Sequence, residues 1–379
     1  MDFQLTEDQI MVRDLARKFS KEKLADLAEE ADVQGAIKPE VIKELAELGF
    51  CGISTPPDYG GNGFDTISYT LIIEELSKVD ASVGVVVAVT NTLAQDPILE
   101  YGSDDLKKKY IPQLAAGEKL GAFALTEPDA GCDAANTKTT AVKQGDFYIL
   151  NGQKTFITNG DIADTFIIFA STNQELGSKG ISAFVVERDF EGFDSGKPFD
   201  KLGIRSSTQT ELYLEDCKVP AANLIGEEGQ GFKIALATLD AGRISIAAQA
   251  LGISEGAFDQ AVEYAKTRVQ FGRPISKFQA IQFMFADMAT DIEASRMLIY
   301  NAAMLKENGV RFSKEAAMAK LFTSEACHRV VQKALQIHGG YGYMKEYPIE
   351  RMYRDQRITE LYEGTSEIQR MVISASVLR

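Results

Sequence analysis

Apolar and polar positions alternate in three successive textures along the 379 residues. Up to about residue 118 the period is helical. Ile10, Leu15 and Phe19 follow a Thr6-Glu-Asp-Gln9 capping-box pattern, and Val41, Leu45 and Leu48 follow Pro39, which suits a first helical turn. The Gly-rich stretch 58–65 reads as a loop, after which 67–76 and 82–99 resume the helical period. Pro97 is expected to end or kink the second of these. From about 120 to 225 the pattern shortens to β-branched and aromatic runs at 139–142, 147–150, 165–169, 181–186 and 211–214, divided by Gly-Asp, Asn-Gly and Lys-Gly turns. After Gly231 helical spacing returns with Ile244, Ala248, Leu251, Phe258, Val262 and Ala265. The 239–243 segment is expected to open that helix; others are predicted over 278–309 and 313–336, with a short one after Thr365. The predicted fold class is α+β: an N-terminal α-helical domain at 1–118, a middle β domain at 119–226 and a C-terminal helical bundle at 227–379.

Composition narrows the function classes. A hydrophobic content of 45% and a charged content of 25% are those of a globular protein. Forty basic against 55 acidic residues leave a net charge of −15, which argues against nucleic acid and anionic membrane surfaces as partners. No apolar run reaches the ~18 residues that span a bilayer. The acidic, polar start MDFQLTEDQ is neither a signal nor a transit peptide, so a cytoplasmic, bacterial setting is expected. The four cysteines, Cys51, Cys132, Cys217 and Cys327, are scattered without a CxxC, so no metal site is expected. Cys327 and His328 are consecutive and would point ~100° apart on a helix, which suits structural roles better than a nucleophile pair. Neither a G-x-G-x-x-G nor a P-loop pattern occurs.

Candidate chemistry concentrates in three stretches: ALTEPDAGCD at 124–133, QIHGGYGYMKEYPIERMYRD at 336–355 and LYEGTSEIQR at 361–370. Read as bare sequence, the first is a turn-rich surface loop and the second a glycine-broken helix carrying a surface ion pair. Glu363 would be a solvated acid ahead of a helix, although Gly364 beside it would let a ligand approach the backbone closely.

Together these stretches resemble the signatures of the acyl-CoA dehydrogenase family, and the likeness runs the length of the chain. The resemblance implies a flavoprotein that oxidises an acyl-CoA thioester between its α and β carbons, with FAD as the hydride acceptor and electron-transfer flavoprotein as the electron acceptor. It implies that Glu363 is the base that removes the α proton and that its backbone N–H bonds the thioester carbonyl. Some relatives carry the base at the position held here by Gly242, which cannot serve. Flavin contacts are implied for Leu125, Thr126, Gly131, Cys132, Phe156, Ile157, Thr158, Thr365 and Glu367. Cys132 stands where Ser or Thr is usual and Asn136 where a small residue is usual. Gln336, Gly339 and Gly340, with Arg268, Phe271 and Gln279, are implied to reach the FAD of a neighbouring subunit, hence a homotetramer built as a dimer of dimers. Substrate contacts are implied for Asp240, Arg243, Cys132, Tyr362, Glu363 and Gly364, although Asp240 could equally be a first-turn acid favoured by the helix dipole.

A short straight acyl group such as butyryl is the expected substrate. Thr90, Asn91, Thr92 and Asp96, on the helix implied to border the acyl pocket, are expected on its outward face; were they to face the pocket, an alicyclic thioester such as cyclohexanecarboxyl-CoA becomes the alternative. An oxygen-reducing oxidase is disfavoured by the chain length, and a non-catalytic scaffold subunit by the intact Glu363.

Overall fold

The computed structural model describes residues 4–378. Its first helices follow the local signals. The hydroxyl of Thr6 accepts from Gln9 N at 3.2 Å, and Thr6 N donates to Gln9 Oε1 at 2.9 Å, which starts α1 (Glu7–Phe19). Then come α2 (Ala25–Gln34), α3 (Pro39–Glu47) and α4 (Thr66–Ser77), the last opened by Asp65 accepting Ser68 N at 2.7 Å. Every residue of α4 is buried.

The next helix corrects an expectation. It begins as α5 (Ala81–Ala88), loosens into a π-helical stretch over Val89–Gln95 and continues as α6 (Asp96–Tyr101), before α7 (Asp104–Ala115). Pro97, which lacks an N–H, is absorbed by this change of register rather than ending the helix. Thr90, Asn91 and Thr92 are buried, not on an outward face, and Asp96 is half-buried. Asn91 Oδ1 accepts Ile53 N at 2.9 Å while its Nδ2 donates to Phe50 O and Val87 O, both at 2.9 Å. Gln95 bonds Thr55 Oγ1 and Cys51 O, each at 2.7 Å. These amides satisfy the backbone of the 50–55 loop, which lies over the helix and would otherwise bury unpaired groups.

One sheet holds all eight strands of the middle region: β1 (Gly121–Ala124), β2 (Thr140–Gln144), β3 (Phe147–Thr158), β4 (Thr165–Ser171), β5 (Ile181–Glu187), β6 (Phe193–Ser195), β7 (Gln209–Pro220) and β8 (Leu224–Ile225). The order is β6-β7-β3-β2-β4-β5-β8, and β1 lies parallel to β4. Pairing of β3 with β7 is antiparallel and breaks register between Lys154 and Ile157, where Phe156 takes φ +57°.

Beyond the sheet, α8 (Gly231–Thr267) is followed by the β9 (Val269–Gln270) and β10 (Arg273–Pro274) hairpin, α9 (Gln279–Glu307), α10 (Ser313–His338), α11 (Ile349–Asp355) and α12 (Ser366–Val377). Because α8 starts at Gly231, the 239–243 segment lies inside it and does not open it; Asp240 is therefore no first-turn acid. The helix packs against α10, α9 and α4, so the first and last helical regions share one core that joins Ile67, Val85 and Leu93 to Ile244, Leu251 and Val330. Contrary to the expectation that no apolar stretch is long enough to span a bilayer, Ala81–Tyr101 and Gly231–Thr267 pass by length and composition, yet 89% and 78% of their most apolar windows are buried inside the protein. The expected surface ion pair of Arg351 and Asp355 is also corrected. Asp355 is buried and accepts Ile204 N, while Arg351 donates to Val79 O.

Candidate active site

Glu363 sits in the connection between α11 and α12, where α8 and α10 meet. It adopts φ +50° and Gly364 follows at φ +93°, a pair of left-handed residues that turns the chain sharply before Thr365 caps α12 by accepting Ile368 N. A left-handed non-glycine residue costs roughly 1–3 kcal/mol, so the turn needs external support. Gln369 supplies part of it, donating to Glu363 O at 3.1 Å and Gly364 O at 2.8 Å. Lys320 of α10 supplies more, with Nζ 2.7 Å from Gly364 O. Tyr362 is held by its hydroxyl donating to Gln249 of α8.

The residue Glu363 is half-buried, but its Oε2 is sealed from solvent and has no hydrogen-bond partner. Its N–H has no acceptor among the described residues. Burial pushes the carboxyl up to about 7, against the opposing pull of the Lys320 and Arg243 charges. Directly beneath the carboxylate is Gly242: a Cβ there would overlap Oε2 and stand 2.9 Å from Glu363 Cδ. Leu93 lines the same spot, 3.1 Å from that Cβ position. Arg243 is buried, pairs with Asp240 one turn earlier and leaves its Nε unpartnered; Asp240 also accepts from Ser313. Burial pulls the Arg243 guanidinium below its ordinary range despite Asp240 and Glu363. The structure thus brings Arg243, Tyr362, Glu363 and Gly364 together, with Asp240 attached through Arg243.

A second group gathers at the edge of the sheet. Thr155 N donates to Thr126 O at 3.0 Å, which lays residues 125–127 beside the end of β3. Beneath them Lys154 and Glu127 form a buried ion pair at 2.7 Å. Lys154 also reaches Leu125 O at 3.2 Å, and Glu127 accepts Lys138 N at 2.6 Å and Thr139 N at 3.1 Å. Burial draws Lys154 down to about 8. For Glu127 burial acts the other way, but Lys154 and the backbone donors outweigh it and hold the carboxylate below its usual range. The pair fixes the 125–139 loop against β3. On this frame Phe156 is exposed and stacks obliquely on Phe199 at 5.4 Å, Gly131 faces open space and Cys132 is exposed with a free thiol. Thr158 accepts from Gln209 Nε2 at 3.2 Å. Leu125 and Ile157 point into cores, so only their backbones are available to a ligand.

A third group lies at the far end of the bundle. Arg268, Gln270, Gly339, Gly340 and Tyr341 line a hollow of about 560 Å³. Gly339 and Gly340 have nothing within 4 Å of a would-be Cβ. Gln336 and Gln279 are exposed at the end of α10 and the start of α9, and Phe271, at φ +51° in the β9–β10 turn, is 94% exposed. Thr365 is committed to its cap, and Glu367 is exposed in the first turn of α12.

Comparison with known proteins identifies the family. Family models described as the N-terminal, middle and C-terminal domains of acyl-CoA dehydrogenase match residues 6–118, 122–217 and 229–378. The chain belongs to the acyl-CoA dehydrogenase family. It is an oxidoreductase acting on a CH–CH bond. A short-chain specific acyl-CoA dehydrogenase of Clostridium acetobutylicum is 50% identical over 379 residues, all of both chains. The solved butyryl-CoA dehydrogenase of Megasphaera elsdenii superposes with a TM-score of 0.99 at 49% identity, covering all of both chains. A chain from the structure of the electron transferring flavoprotein of Acidaminococcus fermentans, studied for flavin-based electron bifurcation, does so at 0.99 and 53%, again over the whole of both.

The residues present fit a flavin dinucleotide. An exposed aromatic held in left-handed backbone, glycines opening onto free space and an arginine-lined hollow offer a flat surface, close backbone approach and a phosphate partner. Glu127, Lys154, Lys320, Gln249 and Gln369 were not among the expected site residues. Their roles depend on long-range packing, and in the sequence only the oddity of a lysine among the apolar positions of α10 hints at one of them.

Proposed function

We propose that this acyl-CoA dehydrogenase oxidises a short straight acyl-CoA such as butyryl-CoA to the enoyl-CoA, with Glu363 as the base that takes the α proton. The observation that carries this reading is Glu363 Oε2, buried, without a partner and over Gly242. A carboxyl raised to about 7 is ionised in part at neutral pH and basic enough to accept a proton from carbon. The Glu363 N–H, which has no acceptor among the described residues, would bond the thioester carbonyl and so acidify the α carbon. Asp240 and Arg243 would orient the CoA portion. Bound FAD supplies the hydride acceptor that no side chain offers. Leu125, Thr126, Gly131, Cys132, Phe156, Ile157, Thr158, Thr365 and Glu367 would hold it.

Arg268, Phe271, Gln279, Gln336, Gly339 and Gly340 would reach the FAD of a neighbouring subunit, which supports a homotetramer arranged as a dimer of dimers. Likeness to the Acidaminococcus fermentans chain supports electron-transfer flavoprotein as the acceptor. The buried amides of Asn91 and Gln95 are occupied by the 50–55 loop, and Leu93 is the neighbour of Glu363. Those two amides are therefore not free to contact an acyl group.

The test is an anaerobic titration of the flavin-loaded protein with butyryl-CoA, wild type beside Glu363→Gln. The wild type should bleach, whereas the variant should stay yellow and unbleached. A variant that bleaches at a near-normal rate would remove Glu363 from the chemistry.

A further inference from the structure

Two lysines in this chain are wholly buried, and they are buried differently. Lys154 has a carboxylate at 2.7 Å. Lys320, inside α10, forms no ion pair within 4.0 Å among the described residues, and its ammonium donates to Gly364 O. A buried ammonium without a contacting anion is expensive to keep. The main compensation is the carboxylate of Glu363, which acts on it through space, and among the charges acting on Glu363 that of Lys320 comes first.

We propose that Lys320 is a positioning residue for Glu363, clamping the left-handed 363–364 turn through the Gly364 carbonyl and lending the pocket a positive charge that never bonds the base. The inference rests on Glu363 being the base. A base needs two things that ordinarily conflict. Its charge must be compensated in a water-poor site, yet its lone pair must stay free for the incoming proton. A direct ion pair would meet the first need and defeat the second. Directing the ammonium at the neighbouring carbonyl meets both, and Oε2 is indeed unpartnered.

Among the other charged or titratable groups around Glu363, Arg243 also acts on its charge, less strongly than Lys320, but no other clamps the Gly364 carbonyl with a positive charge. Arg243 of α8 is engaged by Asp240. Tyr69 of α4 is a neutral phenol bonded to Ser245 at 2.8 Å, and Tyr362 is bonded to Gln249. Glu360 and Glu367, on the same segment as Glu363, are acids, and Glu360 pairs with Arg357. Burial draws Lys320 down to about 8, with Glu363 opposing, so it remains largely charged at neutral pH.

The test follows the rate of flavin reduction by butyryl-CoA against pH in flavin-loaded Lys320→Met, Lys320→Arg and Glu363→Gln. In wild type the rate should rise with pH as Glu363 ionises. Without the neighbouring charge, K320M should carry that rise at least about one pH unit higher, a loss of about fivefold at pH 7 that is largely recovered by pH 9. Thioester affinity should change by less than about threefold. K320R keeps the charge and should return the rise to its wild-type position at a lower plateau. A purely structural lysine would depress the rate alike at every pH, and a K320M rise at the wild-type position overturns the proposal. Should K320M not accumulate with flavin bound, Lys320→Gln is neutral and polar and carries the same criterion. E363Q separates the two readings: if it still reduces flavin, the base assignment fails; if it is inert while the K320M rise has not moved, only the Lys320 inference falls.

Discussion

Replacing Gly242 by alanine should separate stability from chemistry. The new Cβ would overlap Glu363 Oε2, stand 2.9 Å from its Cδ and lie 3.1 Å from Leu93 Cδ2. Real Cβ atoms do not come closer than 3.0 Å, so the carboxylate must retreat by about 1 Å. The obstructed atom is the free end of a flexible side chain, so the backbone of α8 has no reason to move. Gly242 is helical and its φ is not positive, so alanine also relieves roughly 0.5–1 kcal/mol of glycine's helix penalty. The expected protein is folded, yellow and no less heat-stable than wild type. Its base is misplaced by about 1 Å, a displacement that costs on the order of 10²-fold in rate. Anaerobic stopped-flow reduction by butyryl-CoA measures the loss, with thermal melting and flavin content as controls. A rate within about threefold of wild type would refute the placement of Glu363 over Gly242. A colourless or unfolded protein would refute the claim that only the carboxylate has to yield.

Three further outcomes are expected. Glu363→Gln should melt higher than wild type at pH 8 and equally near pH 4. A carboxyl raised from its ordinary 4.5 to about 7 loses stability as pH climbs through that window, by up to about 3 kcal/mol, and glutamine does not; equal differences at both pH values would contradict the burial of Oε2. Lys154→Met should leave Glu127 as an uncompensated buried anion, costing about 3–5 kcal/mol and loosening the 125–139 loop, seen as a lower melting temperature with flavin loss; an unchanged melting curve would show the pair to be dispensable. Arg268→Ala should weaken flavin retention on dilution or gel filtration, and full FAD occupancy would take the residue out of the cofactor site.

Much of this protein was written locally. The capping box at Thr6, the β-branched runs that became β2 to β5 and β7, and the long helical periods after Gly231 each specify an element from neighbouring residues alone, because caps and side-chain periodicity are short-range effects. The three short motifs likewise named the residues around which the site is proposed. What the sequence did not determine is which polar residues are interior. Asn91 reads as part of an outward helical face, and only the loop folded over it, reached through a contact about 40 residues away, makes it an internal partner. The strand β1 was invisible because Gly-Ala-Phe-Ala has little strand preference and is held by its pairing with β4. Asp240 changed character once α8 proved to begin at Gly231. Glu363 shows the division most clearly. Sequence supplied the glutamate and the glycine after it, whereas its unpartnered oxygen, the space left by Gly242 and the distant charge of Lys320 come from three helices meeting. Burial and electrostatic coupling are sums over everything packed around a group, and a local run of residues does not contain that sum.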